Sequence, residues 1–295
     1  MSDNAIFILM VMARALHYGA ALALFGLCTF VGFLLPTEDG APNAHQSTLQ
    51  NILRYLTAVL VIGTVLQLSA EAALAGDGLA DAIHPTIILS LLLETGFGHA
   101  WIIQCVLAAV MAVVAFRPGS TRWRALAILS GCALVGLAAV GHAISFSGPL
   151  LFAVPLAQAL HLLAAGFWLG GLIAIALRPT QSNDNWQRAL MSFSSIGHFA
   201  VAIAFATGGL ISFAILSHQS TPWNSLYLVT LFIKIALVLI MTGLAVFNRY
   251  YFVPRISKTK NFYVLLTQVV RINIVISGLV VVLVSLLGNL APANA

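Results

Sequence analysis

The chain has 295 residues, of which 61% are hydrophobic and 7% charged, against about a quarter charged in ordinary soluble domains. That balance excludes a soluble enzyme and marks an integral membrane protein. Thirteen basic against eight acidic residues leave a net charge of +5, but the basic residues sit at the ends of apolar runs, where they set orientation and form no separate patch for nucleic acid.

A bilayer core takes roughly 20 residues of helix, and the sequence divides into eight apolar runs that predict transmembrane helices: about 5 to 35, 48 to 75, 97 to 116, 122 to 144, 153 to 178, 188 to 216, 223 to 248 and 262 to 290. The first run begins without a basic leader and carries Arg14 and His17, so it is read as a retained span and not a cleaved signal. Connections are short, except for Gly76 to Gly96, where Asp77, Asp81, His84 and Glu94 surround an apolar piece, Ile87 to Leu93. That piece is too short to cross and is expected at the membrane interface. With spans and short connections using nearly every residue, 1–295 reads as one all-α membrane domain.

Arg117, Arg122 and Arg124 flank the third connection, Arg178 and Arg188 the fifth, and Arg249, Arg255, Lys258 and Lys260 the seventh, while the second, fourth and sixth carry none. Positive residues stay inside, so the odd connections are expected to be cytoplasmic and both termini periplasmic. His17 and His161 then fall in the outer halves of spans one and five, and His99 and His142 near the outer ends of spans three and four. His84 and His218 lie by outer connections, His198 near mid-depth and His45 on the cytoplasmic side.

The two halves match at polar positions. Ala15-Leu16-His17, Ala20-Ala21 and Gly26 correspond to Ala159-Leu160-His161, Ala164-Ala165 and Gly170 at an offset of 144. Arg124, Ser130-Gly131 and Gly141-His142 correspond to Arg271, Ser277-Gly278 and Gly288-Asn289, and Thr95, Phe97 and Gln104 to Ser225, Tyr227 and Lys234. A parallel duplication of a four-helix unit follows, with halves of about 1–147 and 148–295, related by an axis along the membrane normal.

Imidazole in a membrane span needs a partner or a use. On the run from Gln158 to Gly171, His161, Ala164, Ala165 and Trp168 share one helical face, and Gly166 with Gly170 forms a small-residue seam to one side. A hydrogen bond to the next helix would satisfy such a histidine; equivalent depth also lets His17 and His161 face each other across the axis as ligands for copper, zinc, iron or a haem. His142 is a short connection from His161, and Met10 lies towards the outer side of His17 as a soft donor. Cys28, Cys105 and Cys132 lie on separate spans without pairing motifs, and read as small apolar residues or soft metal stops. Glu71 and Lys234 are embedded charges that must pair or line a wet cavity.

Taken together, Arg14 to Tyr18 (RALHY), Gly141-His142-Ala143, the HLLAAGFWLGG run from His161, Phe193-Ser194, Thr207-Gly208, Lys234 and Asn248-Arg249 with Pro254 resemble the copper resistance protein D family. The resemblance covers nearly the whole chain. It implies a multi-pass protein of the bacterial inner membrane that is not an enzyme and moves copper from periplasm to cytoplasm through His17, His142 and His161, with His99 and Met10 as further candidate ligands. The chain shows neither the appended periplasmic copper-binding domain nor a methionine-rich loop, which implies a separate periplasmic copper-binding protein as partner. The alternative is a b-type haem electron carrier with His17 and His161 as axial ligands.

Overall fold

The structure is a computed structural model that describes residues 2–35, 44–138, 140, 148, 150–177, 184–218, 225–252 and 260–290. Every regular element among them is helical: α1 (Ser2–Thr29), α2 (Ala44–Ala75), α3 (Pro85–Glu94), α4 (Gly96–Ala115), α5 (Thr121–Leu137), α6 (Leu150–Ala176), α7 (Asp184–His218), α8 (Leu226–Phe247) and α9 (Lys260–Leu287). In lipid each backbone polar group must be satisfied within the segment, and the hydroxyls obey the same rule. Thr57, Thr64, Ser130, Ser277 and Ser285 all donate to the carbonyl four residues back. Thr95 and Ser225 instead cap α4 and α8, accepting from the amides of Gly98 and Leu228 at 2.9 and 3.3 Å.

Seven of the helices are long and apolar enough to cross a membrane. The predicted fourth span is α5, whose 17 residues rise only about 26 Å, slightly less than a hydrocarbon core of about 30 Å. Residues 139 and 141–144 of that predicted span lie outside the described residues. The segment between α2 and α4 behaves as its length requires: α3, with Pro85 in its first turn, covers ten residues and packs beside α4 and α2.

Packing divides the helices into two sets. α1 lies against α2 and α5, α2 against α4, and α4 against α5; α6 lies against α7 and α9, and α8 against α9. One step differs, because among the described residues α7 makes no packing on α8 comparable to that of α2 on α4. The sets join chiefly where α1 crosses α6, with α9 also lying against α1 and α5 against α6. A Cβ on Gly26 would run into the Gly166 carbonyl and lie 2.7 Å from the Gly170 Cα, and one on Gly170 would meet Gly26 and the Leu27 amide. Only hydrogen fits on either side of that crossing.

Beyond the crossing, the apolar core is closed by aromatic rings. Phe30, fully buried, stands 5.8 Å from Trp186 and 5.9 Å from Phe193, whose ring is 5.2 Å from Phe167. Phe30 begins a π-helical turn, Phe30–Leu34, in which the Leu35 amide donates to the Phe30 carbonyl. Arg124 of α5 donates from Nε to the Gly32 carbonyl at 2.8 Å, tying the widened turn to the neighbouring helix.

Candidate functional site

His17 is 1% exposed where α1 presses on α2. The approach is close because residue 63 is glycine: a Cβ there would lie 2.7 Å from the His17 amide nitrogen. Nδ1 of His17 is 3.0 Å from Oγ1 of Thr64. Thr64 has a single hydroxyl proton and gives it to the Leu60 carbonyl at 2.8 Å, so it accepts from the ring. In the tautomer this pairing favours, Nδ1 carries the imidazole hydrogen and Nε2 turns a buried lone pair towards Gln104, outside hydrogen-bond geometry and away from solvent.

Two glutamines extend this pattern. Gln104 of α4 faces the His17 ring and spends its amide N–H on the Ala133 carbonyl at 2.9 Å. Gln67, one turn beyond Thr64 on the same face, donates to Glu71 at 3.0 Å. Both bonds go to groups that only accept, which fixes each amide's orientation and leaves both oxygens buried and unpartnered. Each glutamine is 2% exposed. Trp101 closes the side, donating from its indole to the Thr64 carbonyl at 3.0 Å, with its ring 5.1 Å from the imidazole and stacked on Phe97. The result is three buried acceptors without a donor, each costing about 1–3 kcal/mol if left unsatisfied. A ring nitrogen facing an amide oxygen, as His17 and Gln104 do, suits a cation.

His161 repeats the motif on α6. Its Nδ1 lies 3.0 Å from the Ala204 carbonyl and 3.2 Å from Thr207 Oγ1, while Thr207 gives its own proton to the Ile203 carbonyl at 2.6 Å. Nδ1 again carries the hydrogen. Gly208 permits the contact, since a Cβ there would lie 3.1 Å from the ring carbon Cε1. A half-buried Lys234 on α8 is close enough for its charge to act on this ring.

The structure does not turn the two imidazoles towards each other. Nine residues separate His17 from Gly26 and His161 from Gly170, two and a half helical turns at about 3.6 residues per turn. Each histidine thus points away from the α1–α6 seam, into its own set of helices. A bis-imidazole haem needs both rings on one axis, and this arrangement does not supply it.

The other predicted ligands are dispersed. His99 is exposed and bonds to the Leu93 carbonyl at 2.9 Å, holding the corner between α3 and α4. Met10 is two turns from His17, buried with Ile6, Ala70, Ala73 and Ala82, beside a cavity of about 380 Å3 that Asp77 and Asn289 also line. His142 lies outside the described residues. Among the described residues no three of His, Cys, Asp and Glu converge as a metal site. Cys28, Cys105 and Cys132 are free, on α1, α4 and α5.

Thr64, Gln67, Trp101 and the role of Gln104 were not evident from the sequence. Thr64 had one signal: it precedes Thr207 by 143 residues, nearly the spacing of the two histidines. Replacing Thr64 with valine leaves the Nδ1–H of His17 without an acceptor in a dry site, and is expected to lower stability by about 1–3 kcal/mol. Thermal unfolding in detergent measures this; an unchanged midpoint would mean the ring has found another acceptor.

Comparison with known proteins bears on what such a site handles. Residues 1–152 match the family model for the N-terminal domain of copper resistance protein D-like proteins, and residues 187–287 match that for copper resistance protein D. The chain is 30% identical over 290 residues to inner membrane protein YebZ of Escherichia coli strain K12, covering 95% of this chain and 97% of that protein. It is 30% identical over 288 residues to copper resistance protein D of Pseudomonas syringae pv. tomato, covering 92% and 91%. Copper transport protein CutJ of Bacillus subtilis strain 168 is 29% identical over 242 residues, which are 77% of this chain and 44% of that protein. No solved structure matches. With a family model over half of its length and relatives aligned almost end to end, the chain belongs to the copper resistance protein D family.

Proposed function

We propose that the protein carries copper across the bacterial inner membrane, from periplasm to cytoplasm, through a histidine site in the outer half of the bundle. The observation that carries this reading is the His17 ring, held by Thr64 so that a buried Nε2 lone pair stands beside an unpartnered amide oxygen. Metal-binding imidazoles are set in this way, with the far nitrogen donating to a fixed acceptor. His161 holds the corresponding place in the second half. Met10 lines the cavity on the outer side, and His99 and His142 serve in this reading as capture residues for ions delivered by a periplasmic copper-binding protein. The relatives' names supply the ion and the membrane: copper resistance, copper transport and inner membrane protein. Those names describe handling of copper and not catalysis.

In this reading α5 completes an eighth span, both termini face the periplasm by the placement of basic residues, and the single domain of 1–295 is a duplication with halves of about 1–147 and 148–295. Supporting the duplication are the matching His–Thr pairs, the caps of α4 and α8, and the contact of Gly26 with its counterpart Gly170 on the proposed axis. The test is copper accumulation in liposomes that carry the protein with its periplasmic side outward. Uptake above that of protein-free liposomes is expected; equal uptake would overturn the transport reading.

A further inference from the structure

The two histidine positions share their immediate geometry but not their surroundings. Gln104 is the eighth residue beyond Gly96, the first residue of α4, and Lys234 the eighth beyond Leu226, the first of α8. Thr95 and Ser225 cap the two helices at the same register. Lys234 therefore stands in the second set where Gln104 stands in the first. Likewise Gln67 is three residues beyond Thr64, and the residue three beyond Thr207 is Leu210. The first imidazole faces a glutamine and the second feels a lysine, and one turn beyond the bonded threonine stands a glutamine in the first half and a leucine in the second.

We propose that only the first half is a metal site, that it takes the cupric ion, and that Lys234 permanently occupies the corresponding place in the second half as a tethered cation. This rests on the copper reading above and divides the roles of the two histidines. The facing pair with no recorded donor, His17 Nε2 and Gln104 Oε1, calls for a positive guest, and Gln67 Oε1 is a further unpartnered acceptor one turn beyond Thr64 on α2. Their nitrogen and oxygen character selects divalent over monovalent copper, which prefers thiolate and thioether donors. Sulfur is not at hand: Met10 packs two turns away among Ile6 and Ala73, and Cys105 is next to Gln104 in sequence and hence about 100° around the helix. At His161 the chemistry inverts. A lysine charge acting on the ring repels a second cation in a region of low dielectric, and an ammonium donates hydrogen bonds to a lone pair as a metal accepts it. The duplicated site is thus filled by the protein itself.

The experiment adds cupric ion to the purified full chain in lipid nanodiscs and reads bound copper by elemental analysis and nitrogen coupling by electron paramagnetic resonance. His17→Ala is expected to bind one ion fewer per chain than wild type, and His161→Ala to bind the same number. Lys234→Gln, which places the first half's side chain in the second, is expected to bind one ion more. The double variant His17→Ala with Lys234→Gln returns to the wild-type number, which also shows that loss in His17→Ala is not unfolding. Copper lost from His161→Ala, or no additional ion in Lys234→Gln, would overturn the proposal. If liposome uptake is absent while these stoichiometries hold, the transport reading fails and the site stands; if uptake is present and the stoichiometries fail, only the present inference falls.

Discussion

Gly170→Leu is expected to destabilise the protein by about 3 kcal/mol or more and to loosen the two sets of helices from each other. Overpacking in a well-filled core costs about 1–3 kcal/mol when side chains can yield. Here they cannot, because a Cβ on Gly170 meets backbone atoms: the Gly26 Cα and carbonyl carbon and the Leu27 amide nitrogen. The only relief is separation of α1 from α6, and that unpacks the largest junction between the sets. Gly197→Leu on α7 is the control, since nothing lies within 4 Å of a Cβ there. Unfolding in a denaturing detergent titration separates the outcomes, and a Gly170→Leu midpoint equal to that of Gly197→Leu would show that the seam is not a close backbone contact.

The second large effect concerns transport. His17→Ala is expected to lower copper accumulation at least about tenfold, the equivalent of 1.4 kcal/mol of lost binding at the site. Alanine also removes a ring packed 5.1 Å from Trp101, so some stability is lost as well, and uptake must be compared at equal amounts of folded protein. His17→Gln separates the two causes, because it restores bulk and polarity without an imidazole nitrogen. Uptake should stay low in His17→Gln while its unfolding midpoint recovers towards wild type. Wild-type uptake in both variants would remove His17 from the path.

Much of this architecture was legible in residue order. Spans followed from runs of apolar residues, because a helix in lipid cannot hide a break; the shortness of Ile87 to Leu93 is matched by α3, a helix of ten residues and too short to cross. The small-residue seam of Gly166 and Gly170 predicted a close approach, and Gly26 is what approaches. The fourth span was the weak point, since 17 helical residues fall just under the crossing length. The meeting of His17 with His161 was expected from equal depth alone. Depth is set by position along a helix, but facing is set by rotation around it, and nine residues from each glycine place the histidines opposite the seam. Gln67 and Gln104 went unseen for a different reason. A single amide in an apolar helix has no period, and its meaning depends on which carbonyl or carboxylate uses its N–H.

The ring cluster of Phe30, Trp186, Phe193 and Phe167 beneath the glycine crossing has a kinetic consequence. With the seam closed by backbone at Gly26 and Gly170 and by these rings beyond it, this conformation offers an ion no way between α1 and α6. In the transport reading proposed above, passage would wait on helices shifting by whole side chains, motions of microseconds to milliseconds or slower. Throughput would be counted in discrete turnovers, with no open-channel current to record.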